Sequence, residues 1–414
     1  MVWYQIFRNG PEYEARALKA TFEPPDVSIR DLHRAVPRHL FLRSTATSLL
    51  YIVRHIFVTI LLHLVASRAH TLLELFPQSH FVAFFARNIL THVVMWLTFW
   101  GWQGMAFAGI WCLGHEAGHH SLSPNSFIND FLGIFLHTFV LTPYYAWRTT
   151  HRNHHKGTNH MDRDETYVPF TRKSFALPNS KIAVRMDYTE VLEDTPLYTL
   201  FKLFIRQFFG FQLYLLHNRK GNPKYSRWTS HYNPRSLLFR AEQYWQIIAS
   251  DIFVVSMFSL LGLYGRAFGW LALVKFYFMP WLFAHNWLVM ITYLQHSDPT
   301  VPYYRAEQWT FARGALATVD RPLFGWVGRF FLLNITSDHI AHHFFSGVPF
   351  YNLPAVTEAI KPVLGAYYNY DSTGVICALW RSFTQCVFVE DEGSIVFFKN
   401  RYGEAAVTMY TGAS

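Results

Sequence analysis

Three short segments concentrate histidine: His115-Glu-Ala-Gly-His119-His120, His151-Arg-Asn-His154-His155 and His339-Ile-Ala-His342-His343. Within each, the imidazoles recur three or four residues apart, so on a helix they leave one face and can converge on a common point. That is the geometry of a metal ligand set. The chain holds 22 histidines in 414 residues, a frequency at which two copies of H-x-x-H-H arise by chance only about 0.002 times. Eight or more candidate ligands exceed the four or fewer that a single zinc takes, which points to two metals. Neutral imidazole suits iron, copper, zinc or nickel, and the ligand type leaves that choice open.

The elements that must position these clusters are apolar. Hydrophobic residues make up 51% of the chain and aromatics 18%, with only 15% charged, against a typical soluble charged fraction of about 25%. This is the composition of a chain that meets lipid. The net charge of +9 does not indicate nucleic acid, because no basic tail or nucleic-acid motif occurs and apolar runs separate the cations. Anionic membrane surfaces or lipid head groups are the expected partners. Cys112, Cys377 and Cys386 are too few and too scattered for a disulfide framework, which leaves reduced thiols in a cytosol-facing protein. The first residues lack a signal-peptide pattern, so membrane insertion is expected to rely on internal spans.

In chain order, Ser28-Ile-Arg-Asp31 reads as a capping box opening a short helix that stops near Pro37. Arg34, Arg38 and Arg43 precede the first apolar run and place this end in the cytosol by the positive-inside tendency. Residues 46–66 form the first span, marked by Arg54, His55 and His63, which are expected to snorkel or pack inside a bundle. Residues 81–113 are too long for one straight span, and Arg87 and Asn88 mark a bend or the true start. Residues 127–147 contain Asp130, His137 and Pro143 and read as re-entrant or interfacial rather than crossing. The polar region after His160 includes a basic, Phe- and Leu-rich stretch at 197–216 that suits either a membrane-surface helix or a helix packed on a cap. Two further spans, near 252–264 and 270–294, bring the crossings to about four. An even count puts all three clusters on one side. Residues 300–414 read as amphipathic and loop-like.

A metal site at the cytosolic end of a helical bundle, reached from hydrocarbon, suits chemistry on a lipid chain. Unactivated methylenes resist acid–base and nucleophilic attack, which leaves oxygen activation by iron, with the protein positioning and shielding the reaction.

The spacing of the three clusters resembles that of the membrane-bound fatty acid desaturases. Residues Arg163-Asp-Glu-Thr-Tyr-Val-Pro169, Ile291-Thr-Tyr-Leu-Gln-His296, Arg313-Gly-Ala-Leu-Ala-Thr-Val-Asp-Arg321 and Asn334-Ile-Thr-Ser-Asp-His-Ile-Ala-His-His343 are similar to the oleate delta-12 branch, and the likeness runs over 24–368. It implies an all-α, multi-pass helical bundle with a cytosolic helical cap holding a histidine-rich di-metal site. Its implied divisions are a cytosolic N-terminal segment 1–44, a desaturase domain 45–370 and a cytosolic C-terminal segment 371–414. The resemblance implies two iron ions held by His115, His119, His151, His154, His155, His339, His342 and His343, with His296 as an additional ligand at the cytosolic end of the last span. No catalytic residue is implied beyond these ligands. Four residues before His296, a related acyl-CoA subgroup has an asparagine that holds a metal-bound water; this chain has Thr292. His120 is left outside the ligand set, and His160 is expected at the surface or behind the ligands. Glu116, Asp164, Glu165 and Asp338 are candidates to accept the second ring N–H of a ligand.

The same resemblance implies an endoplasmic reticulum enzyme with its boxes facing the cytosol. It would desaturate a phospholipid-linked oleoyl chain at delta-12, using O2 and two electrons from cytochrome b5 and its reductase. A separate donor follows because no His-Pro-Gly-Gly haem motif occurs and the third box begins with histidine rather than glutamine. The basic stretch 202–240 suits an acidic electron carrier or lipid phosphates, or is plain cytosolic charge bias. Ala117 stands where the branch commonly has cysteine, which leaves an acetylenase, hydroxylase, conjugase or omega-3 desaturase as alternatives. A metal transporter would place its polar residues near mid-bilayer, whereas these clusters sit at span ends. A zinc hydrolase accounts for H-E-x-x-H at His115 but not for the other two clusters.

Overall fold

The computed structural model describes residues 7–19, 21–75, 89–226 and 228–409. The bend expected at Arg87 and Asn88 lies outside the described residues. The central element is helix α2 (Ile89–Gly118), which packs against α1 (Thr45–Leu75), α3 (Ser126–Phe139) and the later α7 (Met279–His296). At 1.5 Å per residue, α1 and α2 are each about 45 Å long and exceed the roughly 30 Å of hydrocarbon they must cross. The outer face of α1 confirms the solvent it was built for, since Leu50, Val53, Phe57, Ile60, Leu64 and Val65 are all exposed. A soluble helix would bury such a stripe. Thr45–Ala69, Leu90–Gly118 and Ala241–Phe268 are long and apolar enough to cross a membrane.

The polar residues on α1 find partners inside the bundle. Arg54 Nη2 donates to the Phe330 carbonyl at 2.7 Å, the His55 ring lies against the Tyr51 and Phe331 carbonyls, and His63 packs on Phe276. Helix α3 and α4 (Tyr144–Gly157) are each 14 residues, about 21 Å, and too short to cross. Phe127, Phe131 and Phe135 form an exposed stripe four residues apart on α3, as an interfacial or re-entrant element requires.

Helix α5 (Pro196–His217) packs on α7, where Gln212 Nε2 lies 3.2 Å from the His285 ring, and it also exposes Leu197, Phe201 and Phe204. It thus docks on the bundle by one face and keeps a second apolar face. Helix α6 (Tyr244–Phe268) ends at Gly269, whose φ of +94° suits glycine. The fourth apolar run then continues as Trp270–Leu273, a π turn at Val274–Phe278, and α7.

The region after residue 300 is more ordered than its loop-like composition suggests. Short helices Phe311–Leu316, Trp326–Leu332, Leu353–Leu364 and Val375–Gln385 surround α8 (His339–Phe344). Strand Pro302–Tyr304 pairs antiparallel with Ile395–Phe397, and Thr21–Phe22 pairs parallel with Thr408–Met409. These elements are stabilised by long-range contacts, which local periodicity does not reveal. Near the start, Ser28 caps helix Ile29–Ala35 by accepting the Asp31 N–H at 3.3 Å.

Candidate metal centre

The first box ends α2, the second occupies the last turns of α4, and the third forms α8. Two close approaches bring them together. A Cβ on Gly114 would lie 2.1 Å from the His137 ring, and one on Gly109 would lie 2.4 Å from the Phe331 carbonyl oxygen. Glycine at these positions lets α2 sink between its neighbours directly below His115.

Nine histidines gather at this junction in two adjoining sets. His115, His119, His151, His155 and His342 offer ring nitrogens within 4.8 Å of one another, as do His154, His296 and His343. His339 joins the second set, its Nε2 lying 3.0 Å from that of His296 and 3.1 Å from that of His343. Helical spacing explains the division. On α4, His151 and His155 are one turn apart and serve the first set, while His154 between them turns to the second. The third box divides in the opposite sense, with His342 in the first set and His339 and His343 in the second.

The hydrogen bonds define which ring nitrogens are lone pairs. His115 Nδ1 faces Glu116 Oε1 at 3.2 Å, and His154 Nδ1 faces Asp164 Oδ1 at 2.8 Å. His339 Nδ1 donates to the Ile335 carbonyl at 3.1 Å. Thr158 spends its hydroxyl proton on the His154 carbonyl, so its oxygen accepts from His343 Nδ1 at 3.1 Å. With the Nδ1 proton so placed, each of these four rings turns a bare Nε2 inward. The Nε2 atoms of His343 and His339 then face each other as two lone pairs. His115 and His151 approach more closely still, at 2.7 Å between Nε2 atoms. His342 has neither ring nitrogen hydrogen-bonded, and His155 and His296 each leave Nδ1 without a partner among the described residues.

Protonation does not relieve this crowding. Burial, reinforced by neighbouring imidazoles, holds His151, His155, His339 and His343 well below the ordinary histidine range and His342 at about 3. Converging neutral imidazoles with inward lone pairs fit metal cations, which turn lone-pair repulsion into coordination.

Of the four carboxylates considered as second-ring acceptors, Glu116 and Asp164 touch the cluster. Glu116 also accepts from Ser121 Oγ at 2.6 Å and lies 3.8 Å from His342 Nδ1. Asp164 accepts the backbone N–H of Asn159 and Thr166 as well, which fixes its orientation. Glu165 bonds instead to Lys224 and Tyr225, and Asp338 to Arg329. His120 turns away to Asp130 at 3.2 Å. His160 is buried, packs on Trp309 and accepts the Asp162 N–H, away from both histidine sets. Thr292 bonds back to the Leu288 carbonyl at 2.9 Å.

Several residues that shape the site are not among the candidate ligands or acceptors read from the sequence. Trp147 stacks on His151 at 4.4 Å between ring centroids, and Trp111 lies between His115 and His137. Asp320 accepts the Ile340 N–H at 2.8 Å and anchors the start of α8. A cavity of about 560 Å³ runs up to the histidines, lined by Trp111, Trp147, Phe211, Leu288, Ile291 and Thr292 and reaching His151, His154, His296 and His339. Its volume and apolar lining are those of a small-molecule or lipid-chain site.

A family model described as fatty acid desaturase matches residues 93–374. Over 395 residues the chain is 38% identical to the Delta(12) fatty acid desaturase of Mortierella alpina, covering 94% of this chain and 95% of that one. Identity to the Delta(12)-fatty-acid desaturase of Arabidopsis thaliana is 35% over 384 residues, covering 92% and 93%. The oleoyl-12-hydroxylase of Ricinus communis is 35% identical over 389 residues, covering 93% of each chain.

Proposed function

The chain belongs to the fatty acid desaturase family, and from that premise we propose that it inserts a cis double bond at delta-12 of an oleoyl chain to give linoleoyl lipid. The observation that carries this reading is the meeting of the apolar cavity with two sets of inward-facing imidazoles. The names of the relatives supply the position of the double bond. As a membrane oxidoreductase, the protein has to shield a radical-scale oxidation from water, and Trp111 and Trp147 do so by walling the cavity beside His115 and His151. Leu288 and Ile291 supply an apolar surface for the acyl chain, which has no polar handle near its middle and must be positioned by shape.

We assign His115, His119, His151, His155 and His342 to one metal and His154, His296, His339 and His343 to the other, both metals being iron. When bound, the pair would supply oxygen activation and removal of two hydrogens from adjacent methylenes. Glu116 and Asp164 hold the rings of His115 and His154 in the tautomer that leaves Nε2 free. The electrons come, in this reading, from cytochrome b5 and its reductase, with the oleoyl chain carried on phospholipid and the boxes facing the cytosol from the endoplasmic reticulum membrane.

A second reading, a hydroxylase, draws support from relatives of that activity at similar identity. Ala117 is fully buried in the apolar core. Expression in yeast lacking polyunsaturated fatty acids tests the choice by gas chromatography with mass spectrometry. Linoleate from the wild type but not from His339→Ala is the expected result. A hydroxylated product would move the chain to the second reading, and no new product despite electron supply would count against both.

A further inference from the structure

The cavity that reaches the histidines also has a basic part to its lining. Lys202, Arg206, Arg219, Lys220 and Arg401 line it, and their pairing is unlike that of the fold's fully buried arginines. Arg172 pairs with Glu390, and Arg321 and Arg381 pair with Asp298 and Asp371. Of the five lining cations, among the described residues, only Lys202 has a carboxylate partner, Asp194. Among the described residues, none lies within ion-pair distance of Arg206, Arg219 or Lys220.

Aromatic faces take the place of counter-ions. The Arg206 guanidinium lies 4.3 Å from the ring centre of Tyr293 and 4.9 Å from that of Phe383, and Lys220 Nζ lies 3.0 Å from that of Phe170. Such contacts offset part of the desolvation of a cation but supply no negative charge. Lys220 is further held at a φ of +69°, with its carbonyl accepting the Val168 N–H at 3.0 Å. Burial and the neighbouring Arg206, Arg219 and Lys202 push its ammonium well below the usual lysine range. Like charges are thus assembled against mutual repulsion, an arrangement that an anion of several acceptor oxygens would stabilise.

We propose that Arg206, Arg219 and Lys220 form a binding site for the phosphate of the acyl carrier, which seats the carrier there while its acyl chain extends to the histidines. This rests on the acyl-lipid reading above. The adjoining lip favours a membrane phospholipid over an aqueous carrier: Val191 and Phe201 line the cavity and are also exposed, with Leu197 exposed beside them. An apolar lip next to cations matches the boundary between acyl chains and head groups.

Native mass spectrometry of the purified full-length protein tests this in separate arms with dioleoylphosphatidylcholine, dioleoylglycerol, oleoyl-CoA and inorganic phosphate. Phosphatidylcholine should bind about tenfold tighter than dioleoylglycerol, the scale of one charge-assisted contact. The difference should fall to within about twofold in an Arg206→Gln/Lys220→Gln variant. Arg219→Gln, at an exposed position, should reduce it severalfold and keeps the test informative if the double variant does not fold. Tighter binding of oleoyl-CoA, lost in the same variants, would support the phosphate site and overturn its assignment to a membrane lipid. Equal binding of the two lipids, unchanged discrimination in the folded variants, or binding of inorganic phosphate without discrimination between lipids would overturn the proposal. Because binding is read without turnover, a chain that discriminates but forms no linoleoyl product would count against the delta-12 reading alone.

Discussion

Asp164 and Glu165 are sequence neighbours, yet only Asp164 reaches a cluster histidine. Asp164→Asn replaces one accepting oxygen by an NH2 that must face either His154 and the Thr166 N–H or the Asn159 N–H, so the charge-assisted hold on His154 is lost and metal occupancy or activity should fall about 10–100-fold. Glu165→Gln loses bonds only to Lys224 and Tyr225 and should stay within about twofold of wild type. Metal content by mass spectrometry, together with product analysis, separates the two; equal losses would remove the special role of Asp164. The contrast also marks what could be read beforehand. Histidine is rare enough that its spacing alone isolates the three boxes, and the resemblance adds His296. Trp111 and Asp320 recur at no such spacing, so what they do becomes visible only where the chain folds back.

Among the helices, periodicity and length were legible wherever lipid or neighbouring helices reward them. The spans at α1 and α6 and the short, interfacial character of α3 follow from composition, because an apolar face must be covered by something. The close contact of α2 with α3 does not, since glycine is compatible with many environments. Gly114→Ala should overpack that contact, with His137 unable to withdraw from a fully buried position. A loss of about 1–3 kcal/mol is expected, seen as a lower unfolding midpoint in detergent. Gly262→Ala, where a Cβ meets nothing within 4 Å, should show no such loss and instead gain slightly from helix propensity.

For the whole molecule, a buried ionic network joins segments distant in sequence. Arg321 reaches Asp298 at 2.8 Å, just past His296, and also bonds Asp371; Arg381 bonds Asp371, and Arg16 lies 3.6 Å from Asp298. Arg321 Nε further donates to the Leu294 carbonyl, tying the end of α7 to the terminal segments. Arg381→Met would leave buried carboxylates undercompensated and should cost about 3–5 kcal/mol. Although burial opposes it, Arg321 and Arg381 hold the Asp371 carboxyl below its ordinary range. Its stabilisation is therefore complete above the unfolded value of about 3.9 and is lost as pH falls through the lower folded value. The stability gap between wild type and Arg381→Met should accordingly be full at neutral pH and narrow below about pH 4, measured by unfolding in detergent. A gap that widened in acid would contradict this assignment.

The same joining of ends orders events in time. Gly10 donates its N–H to Thr373, 363 residues later, so at about 5–20 residues per second the start of a nascent chain waits roughly 20–70 s for its partner to be synthesised. His343 likewise meets Thr158 across 185 residues, and the histidine junction cannot close before α8 leaves the ribosome. During that interval the earlier boxes stand half-assembled beside a membrane. A ribosome stalled before residue 339 would hold a chain with its bundle formed and its centre open.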